Sequence, residues 1–151
     1  MPTEPSPLDA HVGFWLRFVS NHVSHAFSQK VEAHGVTVAE WVVLRQLLAS
    51  GAVAPSAVAE ALGTTRGAVS KLVDRLLTKK LVSRTAARGD KRFQTVALTA
   101  AGRKLVPVLA ALADANDAEF FGHLDAEQRA VLVELMEDVV RRHELKDVPV
   151  S

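Results

Sequence analysis

A mainly α-helical fold with one small β-hairpin is what this 151-residue sequence predicts, on three observations. Apolar residues recur every three or four positions over most of its length, the pattern of helices with one buried face. Apolar–polar alternation appears only in two short runs, residues 81–86 and 94–98. Residues 55–99 parse as a short helix, a turn, a second helix and two strands joined by a charged turn. That order is a winged helix-turn-helix.

In chain order, Ser6, Pro7 and Asp9 form a helix-start signal: a capping hydroxyl, a proline at the first helical position and an acid in the first turn. Leu8, Val12, Trp15, Leu16, Val19, Val23, Phe27 and Val31 follow at helical spacing as far as His34 and Gly35, glycine being the usual left-handed terminator. The helix so predicted, roughly 26 residues against an average near 11 or 12, is long enough to pack against more than its own lobe. Thr37 and Glu40 make a capping box ahead of Trp41, Val42, Leu44, Leu47 and Leu48, a second helix over about 38–49. Pro55 opens a short third helix with Val58, Ala59 and Leu62 inward, and Gly63 ends it. Thr64 and Thr65 are candidate caps for a fourth helix whose inner stripe is Val69, Leu72, Val73, Leu76 and Leu77. Thr99 caps a fifth, with Leu105, Val108, Leu109, Leu112 and Phe120 inward and a kink expected at Pro107. Asp125 and Gln128 open a sixth, carrying Val131, Leu132, Leu135, Met136, Val139 and Val140.

Charge separates these elements into two groups. Residues 55–98 hold nine Lys and Arg against three acids, a net of +6, whereas the whole chain is only +1 and the remainder is −5. Neutralising phosphates with Lys and Arg supplies most sequence-independent affinity for DNA, so one basic module on an acidic protein is the electrostatic footprint of a duplex-DNA reader. On the fourth helix the face away from the apolar stripe carries Arg66, Gly67, Ser70, Lys71 and Arg75 behind Thr64 and Thr65. A helix in the major groove presents its N-terminal residues to base edges. Thr65 and Ser70 donate or accept hydrogen bonds, Arg66 matches guanine in bidentate fashion, and Lys71 and Arg75 reach phosphates or bases. Gly67 costs helix stability, about 1 kcal/mol relative to alanine, which favours close approach of a partner there. Two short strands do not stand alone, so the hairpin leans on the helices and leaves its tip, with Arg88, Lys91 and Arg92, free to reach DNA.

The succession of Thr37-x-x-Glu40-Trp41, the helix-turn-helix from Ala59 to Leu76, the wing Asp90-Lys91-Arg92 and the Leu98-Thr99-x-x-Gly102 that reopens a helix resembles the MarR family of bacterial transcriptional regulators, in order and spacing over nearly the whole chain. The resemblance implies a homodimer with two winged lobes on a pseudo-palindromic operator, repression being relieved by a small-molecule effector. It implies that Asp90 holds the wing arginine, Arg92, which enters the minor groove, with Lys91 at a variable position between them. It also implies that residues 1–35 and 100–151 form a helical dimerisation region around a DNA-binding domain at 36–99.

Other classes find little support. No apolar run approaches the ~20 residues of a membrane span and no secretory leader pattern opens the sequence, so a cytoplasmic protein is expected. Cysteine is absent, which excludes disulfides and thiolate chemistry. With no Ser-His-acid arrangement or glycine-rich phosphate loop, neither an enzyme nor a cofactor is expected. His22 and His25 sit three apart on the first helix; metal binding is the sharper reading, and exposed or interfacial histidines the preferred one. Trp15 and Trp41 are candidates for lining an effector pocket, core packing being favoured for Trp41, and Arg17 and Arg45 for anchoring an anionic effector or forming surface ion pairs. The alternative function is a winged-helix protein-interaction module that never touches DNA.

Overall fold

The computed structural model describes residues 3–87 and 90–146, with the backbone alone for Ala87 and residues 90–93. Six α-helices and one hairpin follow a 3-10 turn at Leu8–Ala10: α1 (Val12–Glu32), α2 (Val38–Ser50), α3 (Pro55–Leu62), α4 (Arg66–Thr78), β1 (Val82–Ala87), β2 (Asp90–Leu98), α5 (Ala100–Phe121) and α6 (Ala126–Arg142). The helix starts are set by short-range chemistry. Thr37 and Glu40 close a reciprocal capping box on α2, Asp125 and Gln128 do so on α6, and Thr65 and Thr99 accept the Ala68 and Gly102 amides at the starts of α4 and α5. Gly63 ends α3 with φ +64, the left-handed region that glycine enters without a Cβ penalty.

The first helix departs from expectation. The chain is broken at His11, which is extended (φ −94, ψ 129), so a 3-10 turn precedes a 21-residue helix, and no side chain caps the turn at Pro7. The Trp15 indole donates to the Asp9 carbonyl at 2.8 Å, giving that carbonyl a partner outside a continued helical ladder.

One core joins the C-terminal end of α1, all of α2–α4, the hairpin and the first half of α5. Val43, Leu44, Val69, Val73, Leu76, Val96, Val106 and Leu109 are wholly buried in it. Trp41 packs against this core and meets Phe27 edge-on, ring centroids 6.4 Å apart, as favoured for it from its place in the α2 stripe. On α5 the buried stripe is Gly102, Val106 and Leu109, whereas Val108 is exposed. The rotation follows from Gly102: a Cβ there would stand 2.2 Å from the Leu81 carbonyl oxygen, so the glycine face is the one that can lie against the lobe. The helix runs through Pro107 without interruption.

The strands pair antiparallel from Val82↔Leu98 to Ala87↔Asp90, with a register shift at Ala86/Ala87. Both extend further into the charged turn than side-chain alternation indicates, because the backbone ladder continues whichever side chains it carries. A bridge absent from the sequence reading joins Val53, between α2 and α3, to Val96: the two residues exchange N–H···O bonds of 3.1 and 2.8 Å. It pins the hairpin to the start of the helix pair. In contrast, α6 buries no residue, and Leu8, Val12, Trp15, Leu16, Phe18 and Val19 at the beginning of the chain are exposed.

Candidate nucleic-acid interface

Helix α4 is oriented by its apolar stripe. With Val69, Val73 and Leu76 fully buried, Thr64, Thr65, Arg66, Gly67, Ser70, Lys71 and Arg75 all fall on exposed surface. The structure therefore brings these seven candidates together on α4 and the turn that leads into it. No ion pair engages Arg66, Lys71 or Arg75 among the described residues. A Cβ on Gly67 would meet nothing within 4 Å, so nothing inside the described chain demands glycine there. Thr65 is the cap, and the Thr64 amide donates to the Ala59 carbonyl, so the turn between α3 and α4 is held by backbone and side chain together. Of the wing candidates, Arg88 lies outside the described residues, and Asp90, Lys91 and Arg92 are placed by backbone alone at the start of β2.

Among the described residues, two of the cations counted in the basic stretch, Lys79 and Arg84, are engaged inside the protein. Lys79, at the C-terminal cap of α4, donates to both carboxylate oxygens of Glu40 (2.9 and 2.8 Å) and to the Gly35 carbonyl at 2.8 Å. Glu40 is wholly buried, and it accepts the Thr37 amide at 3.0 Å as well. Burial by itself pushes the Glu40 carboxyl up, but the Lys79 hydrogen bonds, the Thr37 amide and hydroxyl, and the Lys79 charge together outweigh it and hold the group below the usual glutamate range. Arg84 on β1 pairs with Asp74 on α4 at 3.2 Å, between partly and well exposed side chains. Thr99 adds a third tie: its hydroxyl donates to the Lys80 carbonyl at 2.8 Å while accepting the Gly102 amide, and Lys80 itself sits at φ +61. Sequence reading found Glu40 only as a capping residue; its ammonium partner is 39 positions away, and spacing carries no signal at that range.

Where α1 meets α5, Lys30 donates to Asn116 at 2.9 Å and also pairs with Glu119, and the buried Asn116 donates to the Val23 carbonyl at 3.1 Å. These bonds lock α1 onto α5. Beyond them a cavity of about 450 Å³ opens between α1 and α6, walled by Val12, Trp15, Leu16, Val19, Phe121, Leu132 and Met136. Trp15 thus faces an apolar cleft. His22 lies against Phe18, ring centroids 5.0 Å apart, and among the described residues no three His, Asp, Glu or Cys side chains cluster as metal ligands would.

A recognition-type helix with a free polar face, a preceding three-residue turn held by the Thr65 cap, and a hairpin anchored to the helix pair define a winged lobe. Residues 34–92, which span it, match the family model described as MarR family. That stretch is a lobe of the MarR family's kind. The transcriptional regulator HosA of Escherichia coli O157:H7 is 29% identical over 112 residues, covering 74% of this chain and 83% of that regulator. Among solved structures, BpsR of Bordetella bronchiseptica, described as regulated in its DNA binding by 6-hydroxynicotinic acid, is 28% identical with a TM-score of 0.77, covering 95% of this chain and all of that one. A mutant of MarR from E. coli complexed with operator DNA shares the fold at a TM-score of 0.76 and 24% identity, over 85% of this chain and 93% of that one. With a DNA-binding lobe of that family and transcriptional regulators as its relatives, the chain is a transcriptional regulator and not an enzyme. No helix among the described residues is long and apolar enough to cross a membrane.

Proposed function

We propose that the protein is a homodimeric repressor that places one α4 in each half of a pseudo-palindromic operator and is released by a small-molecule effector. The observation that carries the reading is the outward face of α4, where Arg66, Gly67, Ser70, Lys71 and Arg75 stand exposed on a helix fixed from behind by its own core. Arg66 and Ser70 near the helix start suit base edges; Lys71 and Arg75 suit phosphates. In this reading Arg88, Lys91 and Arg92 extend the contact along the wing, Arg92 entering the minor groove with Asp90 holding it.

Residues 1–35 and 100–151 supply the dimerising scaffold. The apolar residues of α6 and of the first turns of α1 have too few partners in their own chain, and a second copy of the same surface is what a two-fold operator requires. An effector acting on that scaffold would change the distance between the two α4 helices. BpsR's regulation by 6-hydroxynicotinic acid supports a small-molecule effector in kind, without naming the one used here.

The test is fluorescence anisotropy on a duplex selected by the parent protein from a randomised pool, read across a salt series. Arg92→Ala should weaken binding while sedimentation still reports a dimer, and Arg66→Ala should change the selected site, each base contact being worth roughly 1–3 kcal/mol. A protein with no affinity for duplex DNA even at low salt would instead be a protein-interaction module.

A further inference from the structure

Lys79 sits at the end of the proposed recognition helix, and by charge alone it belongs with the cations that meet phosphate. Its geometry says otherwise. All three ammonium protons have acceptors within the chain: Glu40 Oε1, Glu40 Oε2 and the Gly35 carbonyl, at 2.9, 2.8 and 2.8 Å. Glu40 is inaccessible, so its carboxylate has no solvent to turn to if the ammonium leaves. The three elements that meet at this point are the turn after α1, the first turn of α2 and the last turn of α4. A helix held at one end by a bidentate ion pair keeps its direction better than one held by apolar contacts, which tolerate sliding.

We propose that the pair between buried Glu40 and the partly exposed Lys79 is a positioning device for operator recognition: the Lys79 ammonium stays on Glu40 and Gly35 and makes no DNA contact, and the pair sets the direction of α4 relative to α2 and to the end of α1. The inference rests on the reading of α4 as the DNA-facing helix. It gives operator affinity a determinant, Glu40, that cannot touch DNA, and it makes the α1–α2 corner a place where movement of the helical scaffold reaches the reading head.

The experiment compares Glu40→Gln, Lys79→Met, the double variant and Lys79→Arg with the parent, as folded full-length protein checked by circular dichroism. The probes are the duplex selected by the parent and an unrelated duplex of equal length, each titrated across a salt series. Glu40→Gln and Lys79→Met should each weaken binding to the selected duplex about tenfold, with the double variant no worse than either, because contacting residues lose a shared interaction once. The preference for the selected duplex should shrink, the salt slope should stay that of the parent, and Lys79→Arg should recover most of the affinity. Two results overturn the proposal: a salt slope reduced by about one phosphate in Lys79→Met with Glu40→Gln binding like the parent, or a lowered melting temperature with duplex preference unchanged. Should Lys79→Met not fold, Glu40→Gln and Lys79→Arg decide by the same readings. Lys71→Gln serves as the control for the underlying reading; if it and Arg75→Gln leave affinity and slope untouched while Glu40→Gln does not, α4 is not the DNA-facing helix and the positioning proposal falls with it.

Discussion

The winged lobe and helix α6 are built with the same local grammar and end in opposite conditions. Both α2 and α6 start with a reciprocal capping box, and both carry apolar residues at helical spacing. Yet α2 buries Val43, Leu44 and Leu47 completely, whereas α6 buries nothing and leaves Leu135 62% exposed. A capped amphipathic helix of 17 residues is only marginally stable alone in water, so its apolar face is a requirement for company. Local sequence decides that a helix forms; only tertiary placement decides whether it is satisfied within its own chain.

The sharpest way to break the comparison is to truncate one leucine on each side. Leu44→Ala should lower the stability of the protein by about 2–5 kcal/mol in chemical denaturation, since a wholly buried side chain leaves a cavity. Leu135→Ala should alter the monomer–dimer equilibrium in sedimentation and leave lobe stability within about 0.5 kcal/mol. Gly102→Ala comes next: the new methyl meets the Leu81 carbonyl, and the shift of α5 should cost about 1–3 kcal/mol, visible as a lower melting temperature.

Acid should sharpen the same contrast through Glu40. Its folded-state pKa lies below the ordinary value near 4.5, so between the two the unfolded chain binds more protons than the folded one. The pair's stabilisation is therefore complete above about pH 4.5 and is lost as pH falls through the lowered pKa. A urea-midpoint series down that range should fall less steeply for Glu40→Gln than for the parent. Among caps, Thr99→Ala should cost about 1 kcal/mol of global stability, because Thr99 ties α5 to Lys80, while Asp125→Ala should reduce helicity by circular dichroism without moving the lobe's unfolding midpoint. The smallest effect is expected from Arg84→Ala, below about 1 kcal/mol for an ion pair with an exposed carboxylate.

What the sequence made legible was whatever is decided within a few residues. Thr37 and Glu40, Thr65, Thr99, and Asp125 and Gln128 all cap where their spacing indicated, because a cap and the amide that donates to it are three residues apart. The inner stripe of α4 was equally readable, and with it the outward set from Thr64 to Arg75, since the helical period places one face once the other is buried. Hidden from view were the ties between distant positions: Glu40 with Lys79, Asp74 with Arg84, Val53 with Val96. Each joins residues too far apart for periodicity to relate them. The stop at His11 was hidden for a different reason, because the apolar spacing continues through it and only the Trp15 indole on the Asp9 carbonyl marks the break. On α5 the same limit appeared as a small rotation, with Val106 inside and Val108 outside, set by where Gly102 can lie close to Leu81.

The bridge between Val53 and Val96 has a bearing on solubility. It takes up the outward backbone groups of Val96 on the side of β2 that faces away from β1, so that edge is interrupted, and the longer open row is the outer side of β1. That side runs through Ser83, Arg84 and Thr85, all polar, before reaching the charged tip. An open row of backbone donors and acceptors invites strand addition and fibre growth when it is apolar and flat; a polar, cationic row repels its own copy. A protein concentrated on DNA is thereby less open to zipping onto its neighbours through this edge.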